Sequence, residues 1–468
     1  MDERLLVGGE WIETGEWLDV TSPYSRDVVG RVPKAGSDET RRALDAAEAA
    51  LAQPLSAHRR AEILTTAATA LAERQEEAAR IICAEAGKPL KTARVEASRA
   101  VSTFTFAAVV ARTLTGETVP MDASAAGEGK LAFTLRVPVG IVGAISPFNF
   151  PLNLVAHKVA PAFAAGCPVV LKPASATPLS ALFLAHVLAD AGLPAGWLNV
   201  VAGPSAAIGD VLVEDERVKV ITFTGSGDVG WGLAARAPQK RVLLELGNAT
   251  PVIVDESADP AATAAKLAPN AFSFAGQSCI SVQRIYAIGS AYDPLTEHLV
   301  AETEKLRAGD PADEATDVGP VIDEESRDRI LDWIRSSGGR VLTGGEATQD
   351  GVIRPTVIAD PAPDANVECE EVFGPVCTIS RAGSLDEAVE RANGTRYGLQ
   401  AAIFTADVRR ALEASRRLDF GGVLVNEAPT FRADQMPYGG TKSSGNTKEG
   451  PQWAVRELTE ERLVVLSL

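Results

Sequence analysis

The chain of 468 residues is 46% hydrophobic and 23% charged, which is an ordinary balance for a globular protein that builds its own core. Its formal net charge of −17 argues against binding to nucleic-acid backbones or anionic membranes, because both kinds of partner select clustered Lys and Arg. The five Cys and four His lack the spacing of metal ligands, and neither a secretory leader nor a membrane-spanning segment is recognisable, so we expect a cytoplasmic protein without a metal site.

The first hundred or so residues are predicted to be mainly helical after a short strand-like start. Two Ala-rich amphipathic stretches, 39–52 and 59–86, carry the helical pattern. The second stretch stops at Gly87, with Pro89 just beyond it, which is a typical C-terminal signal. The Ala- and Gly-rich segment 123–129 is predicted to be a hairpin turn or a mobile loop.

From Val137 onward, short runs of Val, Ile and Leu alternate with helical stretches. Apolar strands separated by helices indicate a parallel sheet covered on both faces, in a doubly wound domain of the dinucleotide-binding type. A second α/β series is predicted from Pro251 to about Asn426. The predicted strands of the first series are 141–145, 169–171, 198–201, 218–223 and 242–246, with helices at 152–165, 179–191 and 206–213.

The tetrapeptide 276–279 places Cys279 close to a glycine, which lets the backbone approach a ligand. An accessible thiolate at this position would be a nucleophile. Most free cysteines, however, are buried and inert, so the tetrapeptide alone leaves both interpretations open.

Three further segments follow predicted strands, where the sites of α/β folds form. Glu245 is either a site carboxylate or the partner in a helix cap or surface ion pair. Asn149, held between aromatic residues and prolines in 147–151, would donate to an oxyanion or serve as an ordinary turn residue. The Gly-rich segment 223–230 suits a pyrophosphate at a helix N-terminus, although such turns also form for packing reasons.

In their order along the chain, these segments resemble the aldehyde dehydrogenase superfamily over essentially the whole length. The stretches 429–432 and 436–438 look most similar to branches that act on lactaldehyde-like or phosphonoacetaldehyde-like substrates. The matching segments are 147–151, 172–175, 223–226, 245–247, 276–279, 371–376, 397–399 and 437–442.

The resemblance implies a catalytic role for four residues. Cys279 would attack the aldehyde carbon as a thiolate, and the side chain of Asn149 with the backbone N–H of Cys279 would hold the oxyanion. After hydride transfer to the nicotinamide, Glu245 would activate the water that hydrolyses the thioester to a carboxylic acid. Lys158 matches a lysine that supports the site.

The resemblance also implies an NADP or NAD cofactor. Lys172 would reach the adenosine ribose and Glu371 the nicotinamide ribose, with Phe373 packed on the nicotinamide side. Three residues past Lys172, where NAD-preferring relatives often carry Glu, this chain has Ser175, so we expect NADP to be accepted and preferred. The other expected cofactor residues are Ser146, Pro147, Phe148, Pro204, Phe223, Gly225, Ser226, Leu246 and Gly247.

Alignment of the motifs places seven residues around the aldehyde tunnel. Two arginines there would suit a short aldehyde with a remote carboxylate, phosphonate, sulfonate or phosphate. Alternatively, Arg432 pairs with Asp434 and Arg99 with Glu96, which would leave a pocket for a neutral hydroxyaldehyde or an aromatic aldehyde. The seven residues are Arg99, Phe150, His157, Ser278, Ile280, Phe431 and Arg432.

By the same resemblance the α/β chain has three parts. A Rossmann-type cofactor domain would comprise 1–115 and 139–248, an α/β catalytic domain 249–446, and a small β oligomerisation element 116–138 and 447–468. The apolar tail at 463–466 requires a partner strand, because an exposed apolar edge favours aggregation. We therefore expect a homodimer or homotetramer.

The sequence departs from the family pattern in two places. Asn248 stands where the family usually has a second Gly, which would alter cofactor placement slightly, and the segment 445–449 is interpreted as affecting packing more than chemistry.

Two alternative functions are a CoA-acylating enzyme of the same superfamily and a catalytically inactive scaffold of the same fold. A CoA-acylating relative would tend to lack the water-activating glutamate, which this chain has as Glu245. An inactive scaffold would not be expected to keep Cys279, Asn149 and Glu245 together.

Overall fold

The computed structural model describes residues 1–468 as four β-sheets and a set of helices, none of which is long and apolar enough to cross a membrane. The strands are β1 (Leu5–Val7), β2 (Glu10–Ile12), β3 (Trp17–Thr21), β4 (Val28–Pro33), β5 (Thr118–Val119), β6 (Lys130–Pro138), β7 (Ile141–Ile145), β8 (Val169–Lys172), β9 (Leu198–Val200), β10 (Val218–Thr224), β11 (Arg241–Glu245), β12 (Pro251–Val254), β13 (Arg284–Ile288), β14 (Arg340–Thr343), β15 (Thr356–Ala359), β16 (Val376–Ala382), β17 (Gln400–Phe404), β18 (Gly422–Val425) and β19 (Thr459–Ser467). The helices are α1 (Ser37–Leu51), α2 (Ala57–Glu73), α3 (Gln75–Ala86), α4 (Leu90–Thr113), α5 (Asn153–Ala165), α6 (Leu179–Asp190), α7 (Ser205–Glu214), α8 (Gly227–Arg236), α9 (Pro260–Phe272), α10 (Tyr292–Glu304), α11 (Glu324–Arg335), α12 (Asn366–Cys369), α13 (Leu385–Asn393), α14 (Val408–Arg417) and α15 (Pro451–Glu457).

The first large sheet has the strand order β11-β10-β7-β8-β9-β1-β2. Strands β7 to β11 are parallel, whereas β1 and β2 are added antiparallel at one edge. The predicted doubly wound sheet is therefore confirmed. The strand order reverses between β7 and β10, so the loops that follow these two neighbours run in opposite directions and open a crevice at the carboxyl edge of the sheet.

The second large sheet has the order β14-β15-β16-β13-β12-β17-β18, and only β14 is antiparallel to its neighbour. It begins at Pro251 and ends at Val425, as the second α/β series predicted. Its apolar strands pack with α9, α10 and α11 in a core separate from that of the first sheet. The connection from α9 to β13 carries Cys279.

The third sheet has the order β19-β6-β5 and explains the apolar tail. β19 pairs with β6 over its full length, from Thr459 opposite Pro138 to Ser467 opposite Lys130, so the same chain supplies the required partner strand. The other edge of β19 is unpaired, and Leu463, Val465 and Leu466 on it are exposed. The segment 123–129 lies in the hairpin connection from β5 to β6.

One sequence-based expectation about the N-terminal region was wrong. The stretch 59–86 is not one helix but α2 and α3, which meet at Arg74 with φ −110° and ψ 21°. No Gly or Pro marks this break; the Arg74 guanidinium instead bonds Glu77 and lies 4.6 Å over the ring of Phe183. The strand-like start contains four strands, including the hairpin of β3 and β4. The strands of the three larger sheets fall in the three predicted parts of the chain, whose boundaries stay predictions.

Candidate active site

The loops at the carboxyl edge of the first sheet hold most of the residues that the sequence singled out. The backbone of each loop is fixed by the buried strand before it, because parallel strands end together at one edge. After β7 come Ser146, Pro147, Phe148, Asn149 and Phe150; Lys172 ends β8; Pro204 follows β9; Gly225 and Ser226 follow β10; and Glu245 ends β11.

A left-handed turn precedes Cys279. Phe274, Ala275 and Gly276 have φ values of 49°, 53° and 67°, a conformation that non-glycine residues adopt only when tertiary contacts enforce it. A Cβ on Gly276 would lie 2.0 Å from the carbonyl oxygen of Gly374, so only glycine permits this approach. The turn positions Cys279, whose own backbone N–H has no acceptor within the protein.

Asn149 lies directly against the cysteine loop. Its Nδ2 donates to the carbonyl oxygen of Gln277 at 2.9 Å, which leaves its second amide N–H free. The Gln277 side chain is itself fixed, since its Oε1 accepts from the backbone N–H of Ile322 at 2.8 Å. The Asn149 amide and the N–H of Cys279 are therefore two rigidly held donors, as an oxyanion site requires.

Glu245 is a buried carboxyl without hydrogen-bond partners for either oxygen. Burial and the neighbouring Glu449 carboxylate raise the pKa of Glu245 well above its usual value. A carboxyl of that kind accepts a proton more readily near neutral pH, which suits a general base. Lys158 lies close to this carboxyl. Its Nζ donates to the hydroxyl of Thr224, at the end of β10, at 2.7 Å and lies 4.0 Å from the carboxylate of Glu449.

Cys279 and Glu245 line one cavity of about 250 Å³. Burial raises the pKa of the Cys279 thiol to about 12, so the thiolate requires stabilisation from its neighbours. The hydroxyl oxygen of Tyr438 lies 2.9 Å from Sγ. Of the predicted substrate residues, Arg99, Phe150, Ser278, Ile280 and Arg432 also line this cavity.

The structure places two predicted substrate residues elsewhere. His157 is buried behind the cavity wall, where its Nε2 lies 3.0 Å from Oδ1 of Asp434 and 3.3 Å from the Thr103 hydroxyl. Phe431 is 54% exposed, because the turn that it closes with Ala428 directs it towards the surface. Neither residue is part of the cavity lining.

The two arginines have partners other than those that the sequence suggested. Arg432 donates to Glu449 at 2.7 Å, not to Asp434, and both side chains are buried. Arg99 donates to Asp434 at 2.9 Å, because Glu96 is occupied by another cation. The Nε atoms of both arginines are buried without an acceptor.

That other cation is Lys88, which sequence analysis missed because the glycine before it was interpreted only as a helix stop. Its Nζ pairs with Glu96 and lies 3.7 Å from the ring centroid of Phe150 and 4.4 Å from that of Phe274. Glu96 in turn accepts from the backbone N–H of Leu152 at 2.9 Å. This ion pair connects the segment that carries Asn149 to the turn that precedes Cys279.

Glu449 was also missed. Sequence analysis attributed the segment 445–449 to packing more than to chemistry, but Glu449 lines the cavity and bonds Arg432. Its charge also acts on the pKa of Glu245. The segment does contribute packing, since Asn446 bonds the backbone of β11 through Leu244 at 2.8 Å.

The predicted cofactor residues at the adenosine side have unused polar groups. Lys172 is buried, burial lowers its pKa to about 8, and its Nζ bonds only the carbonyl oxygen of Pro173. The hydroxyl of Ser146 is buried without a partner. Ser226 precedes α8 without capping it, which leaves the first N–H groups of that helix available to a phosphate. These residues fit a dinucleotide.

The nicotinamide side is equally suited to a cofactor. A Cβ on Gly247 would lie 2.3 Å from Oε2 of Glu371, so this glycine permits the carboxyl to approach the chain. Burial raises the pKa of Glu371 to about 7. The Phe373 ring lies 5.8 Å from that of Phe148, on the loop that carries Asn149. Remaining cofactor candidates are Phe223, at the end of β10 behind Gly225, and Leu246, which lines the cavity.

Asn248, the departure beside Gly247, directs its side chain away from this region. Its Nδ2 donates to the hydroxyl of Thr250 at 2.8 Å and to the carbonyl oxygen of Gln400 at 3.0 Å. Its backbone N–H donates to Glu371 at 3.0 Å. The side chain therefore fixes the segment after β11 to the second large sheet and does not occupy the crevice.

Comparison with known proteins agrees with this geometry. The family model described as "Aldehyde dehydrogenase family" matches residues 11–464. The chain is 42% identical to a 3-sulfolactaldehyde dehydrogenase of Priestia aryabhattai, over 99% of this chain and 98% of that protein. The name of this relative agrees with the resemblance of segments 429–432 and 436–438 to a branch that acts on lactaldehyde-like substrates.

Two solved structures extend the comparison. An aldehyde dehydrogenase 21 from Physcomitrella patens, in complex with the reaction product succinate, has a TM-score of 0.97 at 41% identity and covers 100% of this chain and 98% of that chain. An NADP-dependent glyceraldehyde-3-phosphate dehydrogenase from Bacillus halodurans, complexed with NADP, has a TM-score of 0.97 at 37% identity with 100% coverage of both chains. The chain therefore belongs to the aldehyde dehydrogenase family and is an NAD(P)-dependent enzyme that oxidises an aldehyde to a carboxylic acid.

Proposed function

We propose that the protein oxidises short aldehydes that carry an anionic group remote from the aldehyde, such as the semialdehyde of a dicarboxylic acid, with NADP as its preferred cofactor. The observation that carries this proposal is that Arg99 and Arg432 line the same cavity as Cys279, and that each guanidinium makes a single hydrogen bond, through Nη2 to a carboxylate of the protein. Each guanidinium therefore keeps N–H donors that no group of the protein accepts, and a ligand carboxylate in the cavity would accept from them.

The rest of the cavity supports a short and polar substrate. Its volume of about 250 Å³ is small for a ligand pocket. The side chains of Asn270, Ser278 and Thr430 add polar groups suited to a hydroxylated chain. The names of the similar proteins include a sulfonated aldehyde, a glyceraldehyde phosphate and a succinate product, all short and anionic.

A neutral or aromatic aldehyde is the less supported alternative. This alternative requires that both arginines use all their hydrogen-bond donors within the protein and that Phe150, His157 and Phe431 line the pocket. Only Phe150 of these three lines the cavity.

The side chains give each step of the reaction a role. The thiolate of Cys279 forms a bond to the aldehyde carbon, and Asn149 with the N–H of Cys279 holds the resulting oxyanion. Lys172 would hold the adenosine side of the cofactor and Glu371 its nicotinamide ribose, and the bound nicotinamide would accept the hydride that leaves the aldehyde carbon. Glu245 then takes a proton from the water that attacks the thioester, and its raised pKa suits that task. Lys158 keeps the Glu449 charge beside this carboxyl partly neutralised.

The preference for NADP rests on Ser175. Its hydroxyl donates to the carbonyl oxygen of Gly203 at 3.1 Å, and no carboxylate occupies this position to repel a 2′-phosphate. The ammonium of Lys172, on the preceding strand end, adds attraction for a phosphate.

We further propose that the protein is a homodimer or homotetramer in the cytoplasm. The open edge of β19 carries exposed Leu463, Val465 and Leu466, and pairing of this edge with a second subunit would cover them. The few scattered cysteines, all unpaired, support a reducing compartment.

Arg99→Met tests the substrate proposal better than a change at Arg432, because Asp434 would keep its contacts with Asn153 and His157, whereas the buried Glu449 would lose its one side-chain hydrogen bond. The measurement is kcat/KM for succinic semialdehyde and for butanal, a neutral aldehyde of similar size. We expect a loss of about tenfold or more for the acid only, because a hydrogen bond to a charged group contributes about 1.5–3 kcal/mol. Arg94→Met, an exposed position on the same helix, is the matched control. Equal losses for both aldehydes would contradict the proposal.

A further inference from the structure

We propose that Tyr438 is a catalytic residue whose hydroxyl donates a hydrogen bond to the thiolate of Cys279. Its hydroxyl oxygen lies 2.9 Å from Sγ, and this is the one side-chain hydrogen bond that the sulfur makes. The proposal concerns the nucleophile and is independent of which aldehyde the enzyme prefers.

The phenol is held where a donor is needed. Tyr438 is buried and packs with Ile280 and Leu399, so its ring cannot turn the hydroxyl away from the sulfur without disrupting that cluster. The guanidinium of Arg432 lies 3.8 Å from the ring centroid, and Glu449 fixes that guanidinium from its other side. A cation over the ring withdraws electron density from the phenol and makes its O–H a stronger donor.

The surroundings of the sulfur disfavour the thiolate form of Cys279, so a hydrogen-bond donor is needed to stabilise it. The carboxyls of Glu245 and Glu371 disfavour a negative charge on Cys279, Arg432 favours it, and burial opposes it. Burial and the nearby Cys279 and Glu245 raise the pKa of Tyr438 well above 10, so the phenol stays protonated while the thiol ionises. Under these conditions Tyr438 donates and Sγ accepts.

The same hydrogen bond would act twice in the catalytic cycle. It stabilises the thiolate before the sulfur bonds the aldehyde carbon, and it stabilises the thiolate again when hydrolysis of the thioester breaks that bond. Tyr438 keeps its proton throughout, so it differs in role from Glu245, which transfers one.

Tyr438→Phe removes only the hydroxyl and leaves the ring beneath Arg432. The test measures the rate of Cys279 alkylation by iodoacetamide in the cofactor-free enzyme between pH 7 and pH 9, by peptide mass spectrometry. A rise of one pKa unit lowers the thiolate fraction about tenfold, and the greater nucleophilicity of the more basic thiolate offsets part of this. We therefore expect alkylation to slow at least about threefold at each pH.

Tyr292→Phe is the matched control, because Tyr292 is a buried tyrosine that bonds Asp360 away from the cavity. Alkylation of the exposed Cys369 should be unchanged, and the buried Cys83 and Cys377 should stay unreactive, which verifies folding. In steady-state assays kcat should fall in the Tyr438 variant with little change in the KM for aldehyde. An unchanged alkylation rate would overturn the proposal, including when kcat falls, because the hydroxyl would then act on the aldehyde and not on the sulfur.

Discussion

The buried pair of Lys88 and Glu96 predicts a measurable link between stability and the active site. Lys88→Met removes an ammonium that pairs with Glu96 and faces the rings of Phe150 and Phe274. Loss of one partner of a buried ion pair costs about 3–5 kcal/mol, because the other charge stays buried.

Two features of the structure place the expected cost at the low end of that range. Glu96 keeps the backbone N–H donors of Leu152 and Asn153, at 2.9 and 3.1 Å, and a methionine sulfur retains part of the contact with the two rings. We expect a loss of about 3 kcal/mol. For the predicted cofactor domain, 1–115 and 139–248, which contains both residues, that corresponds to a fall in Tm of roughly 6–12 °C.

Thermal unfolding of four proteins would measure this effect: wild type, Lys88→Met, the double variant Lys88→Met with Glu96→Gln, and Lys91→Met. The double variant should recover part of the Tm, because a Gln carbonyl still accepts from the backbone and no unpaired charge remains. Lys91→Met, on the helix that carries Glu96, removes an exposed pair with Asp317 and should change the Tm little.

The kinetic expectation follows from the position of the pair between the Asn149 segment and the turn before Cys279. Lys88→Met should lower kcat, since oxyanion donors must be held in place to contribute fully. A Tm within about 2 °C of wild type would refute the assigned energetics. A double variant that is no more stable than Lys88→Met would do the same.

Three further predictions concern named side chains. Glu245→Gln should lower kcat by about 100- to 10,000-fold and cause an acyl adduct to accumulate on Cys279, which mass spectrometry would detect; loss of the initial hydride transfer without an adduct would instead assign Glu245 to the thiol proton. Ser175→Glu should lower kcat/KM for NADP at least about tenfold while NAD is retained, and an unchanged cofactor ratio would contradict the assigned phosphate position. The pKa of Glu371 is raised from 4.5 to about 7 in the folded protein, so between these pH values the carboxyl ionises more readily in the unfolded chain, and the stability of the fold decreases as the pH rises. The Tm of Glu371→Gln should therefore increase relative to that of wild type from pH 4.5 to 7. Parallel Tm curves for the two proteins would contradict this.

The sequence by itself determined the parallel strands of the first large sheet and the extent of the second α/β series. Continuous Val, Ile and Leu runs separated by helices require parallel strands buried on both faces, and the structure has them in β7 to β11 and in the second sheet. The motif order also identified the cysteine, the glutamate and the asparagine that the fold brings to one crevice. These features are local: a strand pattern, or a residue that directly follows a strand, is recognisable without knowledge of distant contacts.

Only the tertiary structure decided which charges pair. Arg99 bonds Asp434 across 335 positions of sequence, and the expected local partner Glu96 binds Lys88 instead. The break at Arg74 and the outward direction of Phe431 likewise depend on contacts that no local signal records. Ion pairing inside a protein is governed by distance through space and by desolvation, and neither quantity exists until the chain has folded.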